Sequence, residues 1–251
     1  MTINKHLQEV ENALNSFPGK SSSKEVAFLK KYIGTQYNIL GLSVPSQRAL
    51  FKRGYSFSSL KPMEQIDVWD SIWQQSKLHE GMTQTIIFWE RNIEKVDAVK
   101  AWNHLKEYVV KIDNWAHSDG LSGFYSYLLE GKPKLVLPQL QKWNKSKNPW
   151  ERRQSMVSLI HYHSKRNIFL PYKVMEPLVE KLLDDEDYFV QKGVGWALRE
   201  IGHIYPKETF AFLKKYHVRI TGVAFAAASE KLSAKEKEEL KGLRKLARKK
   251  T

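Results

Sequence analysis

The chain has 251 residues, 42% of them hydrophobic, and a formal net charge of +14. That is enough apolar material for a sizeable core and excludes a disordered polyelectrolyte. There is no cysteine, which excludes disulfides, Cys-ligated zinc and thiol chemistry. Met1 to Gln8 contain no apolar signal core, and no run of 18 apolar residues occurs, so a soluble cytoplasmic protein without a membrane role is expected. The charge is lopsided: residues 1–125 hold 15 Lys and Arg against 13 Asp and Glu, a net +2, and residues 126–251 hold 26 against 14, a net +12. A basic surplus confined to one half suggests a polyanion partner, because neutralised phosphates release counterions. A membrane surface or a solvated basic tail would give the same totals.

Gly and Pro together number 22 (13 + 9), too few for a many-turned β fold, and no strand or hairpin pattern occurs. Ile3, Leu7, Val10, Leu14 and Phe17 recur at helical spacing and predict a first helix over 3–17. Gly19-Lys20-Ser21 lacks the upstream glycine and preceding strand of a phosphate loop. A second helix is expected over 24–33, with Val26, Phe28, Leu29 and Tyr32. Pro45 suits a first helical turn, so a third helix begins there and carries Arg48 and Lys52 on one face. Residues 62–76 are amphipathic, with Ile66, Trp69, Ile72 and Trp73 inward, and 82–91 and 94–109 read as two more helices.

The stretch Asp113-Asn114-Trp115-Ala116-His117-Ser118-Asp119 opens a helix over 113–130. Asp113 or Asn114 can cap it, since a short side-chain oxygen accepts from the free amides of the first turn. Trp115 and Asp119 are four apart and share a face. Taken alone, they could be a core ring and a solvated acid. Further helices are expected over 133–144, from the cap Asn148-Pro149 to about His163, over 171–183, over 187–204 behind the acids Asp184 to Asp187, and over 207–216 and 218–230. Ser233 and Glu236 form a capping box. From Lys241 onward the tail holds six basic residues and no acid, and a mobile or weakly helical arm is expected there.

Trp115, Trp150 and Phe189 each stand near a helix start, at separations of 35 and 39 residues. A period near 40 with two helices per repeat fits HEAT-type arrays, in which one helix of each pair lines a concave binding surface. The expected architecture is therefore an all-α, HEAT-like helical repeat solenoid with a concave basic groove. Residues 1–230 would form a single domain and 231–251 a basic C-terminal arm. On three helices, Trp115 and Asp119, Trp150 and Arg153, and Lys192, Trp196 and Arg199 each share one face. If those faces line one groove, it is basic and aromatic with one carboxylate in it. Such a groove suits phosphates, sugars and bases. Trp196 would otherwise read as core, and Lys192 and Arg199 as solvated charges. Arg152 and Arg153 are adjacent and point in different directions. His161 and His163, two apart with no acid nearby in sequence, read as core or surface histidines and not as metal ligands.

The strings Asp113–Asp119, Asn148-Pro149-Trp150-Glu151-Arg152-Arg153 and Phe189-Val190-Gln191-Lys192-Gly193-Val194-Gly195-Trp196-Ala197-Leu198-Arg199-Glu200 resemble the AlkD family of DNA alkylation repair proteins, as does Leu40 to Lys52. The resemblance spans roughly residues 25–225. It implies a monofunctional glycosylase that removes N3- and N7-alkylated purines from duplex DNA without a deep base-flipping pocket. Its catalytic carboxylate maps onto Asp119, its aromatic site residues onto Trp115 and Trp196, and its groove arginine onto Arg153. Asn114 stands where the family often has a second aromatic.

One carboxylate is chemically sufficient. A cationic alkylpurine leaves as a neutral base, so no general acid is needed, unlike in most glycoside hydrolases. Asp119 would stabilise the oxocarbenium-like sugar and position water. Lys192, Arg199, Trp150, Arg48 and Arg152 join Arg153 as expected DNA contacts. No metal or organic cofactor and no obligate protein partner are expected, and the protein is expected to be a monomer acting on alkylated double-stranded DNA. The alternative is a non-catalytic helical-repeat protein that binds branched or damaged DNA through the same residues.

Overall fold

In the computed structural model, residues 2–248 are described, without the side chains of residues 2–4. The core role expected of Ile3, and Lys249 and Lys250 of the basic tail, lie outside the described residues. The described chain is all-α and built of helical repeats. It contains fourteen α-helices and three short 3-10 turns, and its only strand-like pairing is an isolated bridge between Asn38 and Leu78. Backbone contacts group the chain into two compact units that meet in sequence at Phe124 and Tyr125.

The first unit contains α1 (Thr2–Ser16), α2 (Ser23–Ile33), α3 (Val44–Arg53), α4 (Pro62–Gln75), α5 (His79–Asn92), α6 (Ala98–Tyr108) and the start of α7 (Trp115–Gly131). The helix starts follow local chemistry. Ser22 and Glu25 form a capping box, Ser43 caps α3 ahead of Pro45, and Asp97 accepts from two amides of α6. The apolar stripe of α4 is inward as its spacing requires: Ile66, Trp69, Ile72 and Trp73 are fully buried. The two indoles keep their N–H groups satisfied, Trp69 on Gln65 and Trp73 on the Tyr108 carbonyl, each at 3.2 Å. Glu80, also buried, accepts the amides of Leu40, Gly41 and Leu42 and so fixes the approach to α3. Burial raises its carboxyl above the usual range against the pull of those amides.

The second unit contains the rest of α7 and α8 (Pro133–Trp143), α9 (Pro149–Val157), α10 (Tyr172–Glu180), α11 (Tyr188–Ile204), α12 (Pro206–Lys215), α13 (Gly222–Ala228) and α14 (Ala234–Arg248). Helix α11 is its hub and packs on α9, α10, α12 and α13. Asp187, the last of the four acids, caps it by accepting from Phe189 and Val190. Two expectations change here. Helix α9 ends at Val157, six residues short of His163, because the amides of His161 and His163 are taken by Ser126 Oγ and the Glu200 carboxylate. The tail is not a loose arm: behind the Ser233–Glu236 capping box it forms a regular helix to Arg248, packed through the fully buried Leu240.

The repeat period shows in the side-chain bonds. Asp70–His104, Trp73–Tyr108, Asn144–Leu178, Arg152–Asp185, Arg153–Phe189, His163–Glu200 and Tyr205–Leu170 all join residues 33 to 37 apart. Each is a tie from one repeat to the next, as a stacked array requires.

Helices α11 and α13 cross so closely that a Cβ on Gly195 would lie 2.4 Å from the Ala224 carbonyl oxygen. Gly195→Ala is expected to force the two backbones apart at a cost of about 1–3 kcal/mol. Thermal melting should then fall by roughly 3–10 °C. An unchanged melting temperature would contradict the close crossing.

Candidate functional site

The helix that carries Asp119 is fastened at its first turn by polar groups. Asn114, not Asp113, is the cap: its Oδ1 accepts the His117 amide at 2.9 Å. Asp113 instead ties the helix start to the segment after α2. It accepts from Thr35 Oγ1 and the Gln36 amide at 2.7 Å each, and from Asn114 Nδ2 at 2.8 Å. Below Asn114 the His117 ring is buried and stacks on His79 at 4.1 Å. One His117 nitrogen faces Asn114 Nδ2, and the other approaches Thr83 Oγ1 and the His79 carbonyl. Gly120 lies against Ile86, where a Cβ would come within 2.9 Å. The inner side of the turn is thus filled, and half-buried Trp115 and Asp119 stand one helical turn apart beside it.

Trp115 is not a core ring. Its Nε1 donates to the Tyr32 carbonyl at 3.0 Å, and its ring meets Tyr32 edge-to-face at 5.5 Å. Tyr32 in turn stacks on Phe28 at 6.0 Å, and both are well exposed, at 59% and 67%. Phe28, Tyr32 and Trp115 form a solvent-facing aromatic row, of which the helical spacing of Phe28 and Tyr32 was the sequence signal. On the same unit Arg48 is exposed and paired with Glu90 at 2.9 Å.

In the second unit the adjacent arginines divide their tasks. Arg152 makes a two-pronged pair with Asp185, at 2.5 and 3.1 Å, and donates to the carbonyls of Ser146 and Lys147. The Asp185 carboxylate holds its guanidinium above the usual value. These bonds make Arg152 a fastening of the turn before α9. Arg153 is buried and crosses Gly193, where a Cβ would lie 3.2 Å from its chain, and donates to the Phe189 carbonyl at 2.8 Å. Trp150 stacks on Phe189 at 5.2 Å, so two of the period-matched aromatics touch. Lys192 is exposed, with its ammonium 5.8 Å from the Tyr188 ring. Arg199 bonds Glu230 at 2.8 Å and Glu200 at 3.3 Å. Trp196 is half-buried against His161 at 5.5 Å and Tyr162 at 5.8 Å. Tyr162 has φ +54°, a left-handed conformation that L side chains rarely adopt, and no sequence signal pointed to it.

The histidines differ from expectation in one respect. His163 has an acidic partner, Glu200, which its ring Nδ1 meets at 2.9 Å. His203 stacks on the same ring at 3.9 Å. Among the described residues, His163, Glu200 and His203, and separately Asp67, Asp70 and His104, bring ligand atoms close enough to hold a metal ion. In both groups a histidine already shares its Nδ1 with a carboxylate, an arrangement that fastens neighbouring repeats with no ion.

A family model described as DNA alkylation repair enzyme matches residues 11–232. Among solved structures, "Predicted DNA alkylation repair enzyme from Enterococcus faecalis" is similar at 19% identity, over 87% of this chain and 100% of that chain, with a TM-score of 0.69. AlkD2 from Streptococcus mutans is similar at 21% identity, over 89% of this chain and 97% of that chain, with a TM-score of 0.48. The first likeness is one of fold. No curated protein matches.

Burial lowers His79 and His161 to about 4 and His117 well below its ordinary value. The folded state therefore refuses protons that the unfolded chain takes up below about pH 6.5. Stability is full above that pH and falls as the pH drops towards about 4, by roughly 1.4 kcal/mol per pH unit for each such group. Denaturant melts of the wild type and His161→Gln should show a shallower pH slope in the variant, by up to one proton. Equal slopes would mean that His161 titrates freely.

Proposed function

The chain belongs to the DNA alkylation repair enzyme family, and from that we propose that it is a monofunctional DNA glycosylase for cationic N3- and N7-alkylpurines in duplex DNA. A role in repair of alkylated DNA follows from the family itself; the reaction, the substrate range and the residue roles are our reading. The observation that carries it is the carboxylate of Asp119 one turn from Trp115, on a helix start fastened by the Asn114 cap and the Trp115–Tyr32 bond. A phosphate-binding surface alone gains nothing from an acid there, since it repels the backbone. A site that meets a cation, or a developing positive charge, does gain.

In this mechanism the C1′–N bond of the alkylated nucleotide breaks, and its electron pair neutralises the positively charged purine. Asp119 stabilises the oxocarbenium-like sugar and orients the water whose oxygen bonds C1′. The water's proton passes to the carboxylate or to solvent. Trp115 and, as the family resemblance implies, Trp196 are the rings offered to the cationic nucleotide, where a ring face is worth about 0.5–2 kcal/mol. Tyr32 extends the Trp115 surface. Lys192, with Trp150, contacts the strand; Arg153, buried across Gly193, would have to turn outward to join them, and Arg48 and Arg199 would have to exchange Glu90 and Glu230 for phosphate. Arg152 acts indirectly, by holding the turn that carries Trp150. The protein would work as a monomer, with no cofactor and no obligate protein partner.

The test is release of N7-methylguanine and N3-methyladenine from duplex DNA by wild type and Asp119→Asn. The variant should keep its fold and DNA affinity and lose at least about a hundredfold in single-turnover rate, the scale of one electrostatic stabiliser. A neutral lesion such as hypoxanthine should be released poorly by both. Excision by the variant at the wild-type rate would remove Asp119 from the chemistry. DNA binding with no release by either protein would favour a non-catalytic DNA-binding role.

A further inference from the structure

Helix α14 begins after the last residue matched by the family model, so its role is not inherited from that match. At about 100° per residue, Lys237, Lys241, Arg244, Lys245 and Arg248 fall within an arc of roughly 100° on one side of the helix. The acids of the helix lie elsewhere or at the margin. Glu236 closes the capping box, Glu239 pairs with Lys214 at 3.3 Å, and Glu238 stands at the edge of the arc. The side next to Arg244 is committed to the protein, with Leu240 fully buried. Arg244 locks the rotation of the helix: its guanidinium donates to the carbonyls of His217 and Ile220 at 2.6 Å each and covers the Phe225 ring at 4.6 Å. Lys241, Lys245 and Arg248 are left exposed beside it, along a shallow cleft shared with Gly222 and Phe225. Burial, and then the neighbouring Arg248 charge, pull the Arg244 guanidinium below its usual value.

We propose that this face of α14 is a phosphate-binding surface for the backbone of duplex DNA, through Lys241, Lys245 and Arg248. The proposal rests on the reading of the chain as a protein that acts on DNA, and it adds a contact surface that needs no lesion. A rigid row of cations one to two helical turns long suits the regular charge of a duplex. It reads phosphate and not sequence, and it raises affinity for damaged and undamaged DNA alike. A lipid surface would demand a broad free apolar face beside the charges, whereas α14 buries Leu240 and leaves one large apolar side chain, Leu246, exposed.

The experiment is equilibrium binding of the full chain to an undamaged duplex over a series of salt concentrations. Wild type is compared with Lys241→Gln/Lys245→Gln/Arg248→Gln and with a charge-matched triple variant of the first unit, Lys95→Gln/Lys100→Gln/Lys106→Gln. The α14 variant should lose about 2–3 units from the slope of log K against log salt, at close to 0.9 per phosphate contact. The first-unit variant should lose less than one. Base release is measured alongside, so that the two readings fail separately. A wild type that binds duplex and releases no base sinks the glycosylase reading, while a lost slope in the α14 variant still supports this surface. An unchanged slope in the α14 variant overturns the surface, as does an equal loss in both variants, which would reduce it to net charge. Wild-type binding to phosphatidylserine vesicles but not to duplex would overturn it in favour of a membrane.

Discussion

The polar tie between Asp113 and the segment after α2 is the interaction on which the first unit's part of the site depends. Thr35 and Gln36 donate to the Asp113 carboxylate, which leaves the neighbouring Asn114 free to act as cap for α7. The same bonds bring Tyr32, four residues before Gln36, up to Trp115. The consequence is a division of labour within seven residues. Asp113, Asn114 and His117 are consumed in holding the helix start, and Trp115 and Asp119 are presented by it. The buried side chains of Asn114 and His117 both have partners, as burial demands. A stacked pair of neutral histidines, His79 and His117, supports the turn without placing a charge beneath the site.

The second unit repeats this logic with different chemistry. Arg152 and Arg153 follow each other, yet one is held by Asp185 and two carbonyls and the other lies over Gly193 towards Phe189. A glycine on α11 is what allows an arginine from α9 to lie across it, and a second glycine, Gly195, lets α13 approach. Helix α11 can therefore serve as hub and also expose Lys192 at its surface. The ties 33 to 37 residues apart give both units the same construction, in which each helix pair is fixed to the next by side chains and not by long loops.

Much of this was legible in sequence where the governing physics is local. The burial of Trp69 and Trp73 follows from spacing on one helix, and the caps Asn148, Asp187 and Ser233 act within three residues of themselves. The period that relates Trp150 to Phe189 ends in a ring contact between them. What was illegible is tertiary. The choice of Asn114 over Asp113 as cap depends on Thr35, 78 residues from Asp113. The early end of α9 depends on Ser126 and Glu200. The acidic partner of His163 arrives 37 residues later. The basic tail reads as a mobile or weakly helical arm, and which of its leucines pins it, Leu240 and not the exposed Leu246, is set by the helices it packs on.

The account's central claim is that one carboxylate suffices because the leaving base already carries the positive charge, so no protein group donates a proton. The most direct measurement is the single-turnover rate of N7-methylguanine release across about pH 6 to 8.5. A group that had to protonate the base would impose a falling limb as it lost its proton. The account predicts a rate that does not fall towards the alkaline end. A descending limb of slope one in wild type, removed by substitution of a single titratable residue, would contradict it.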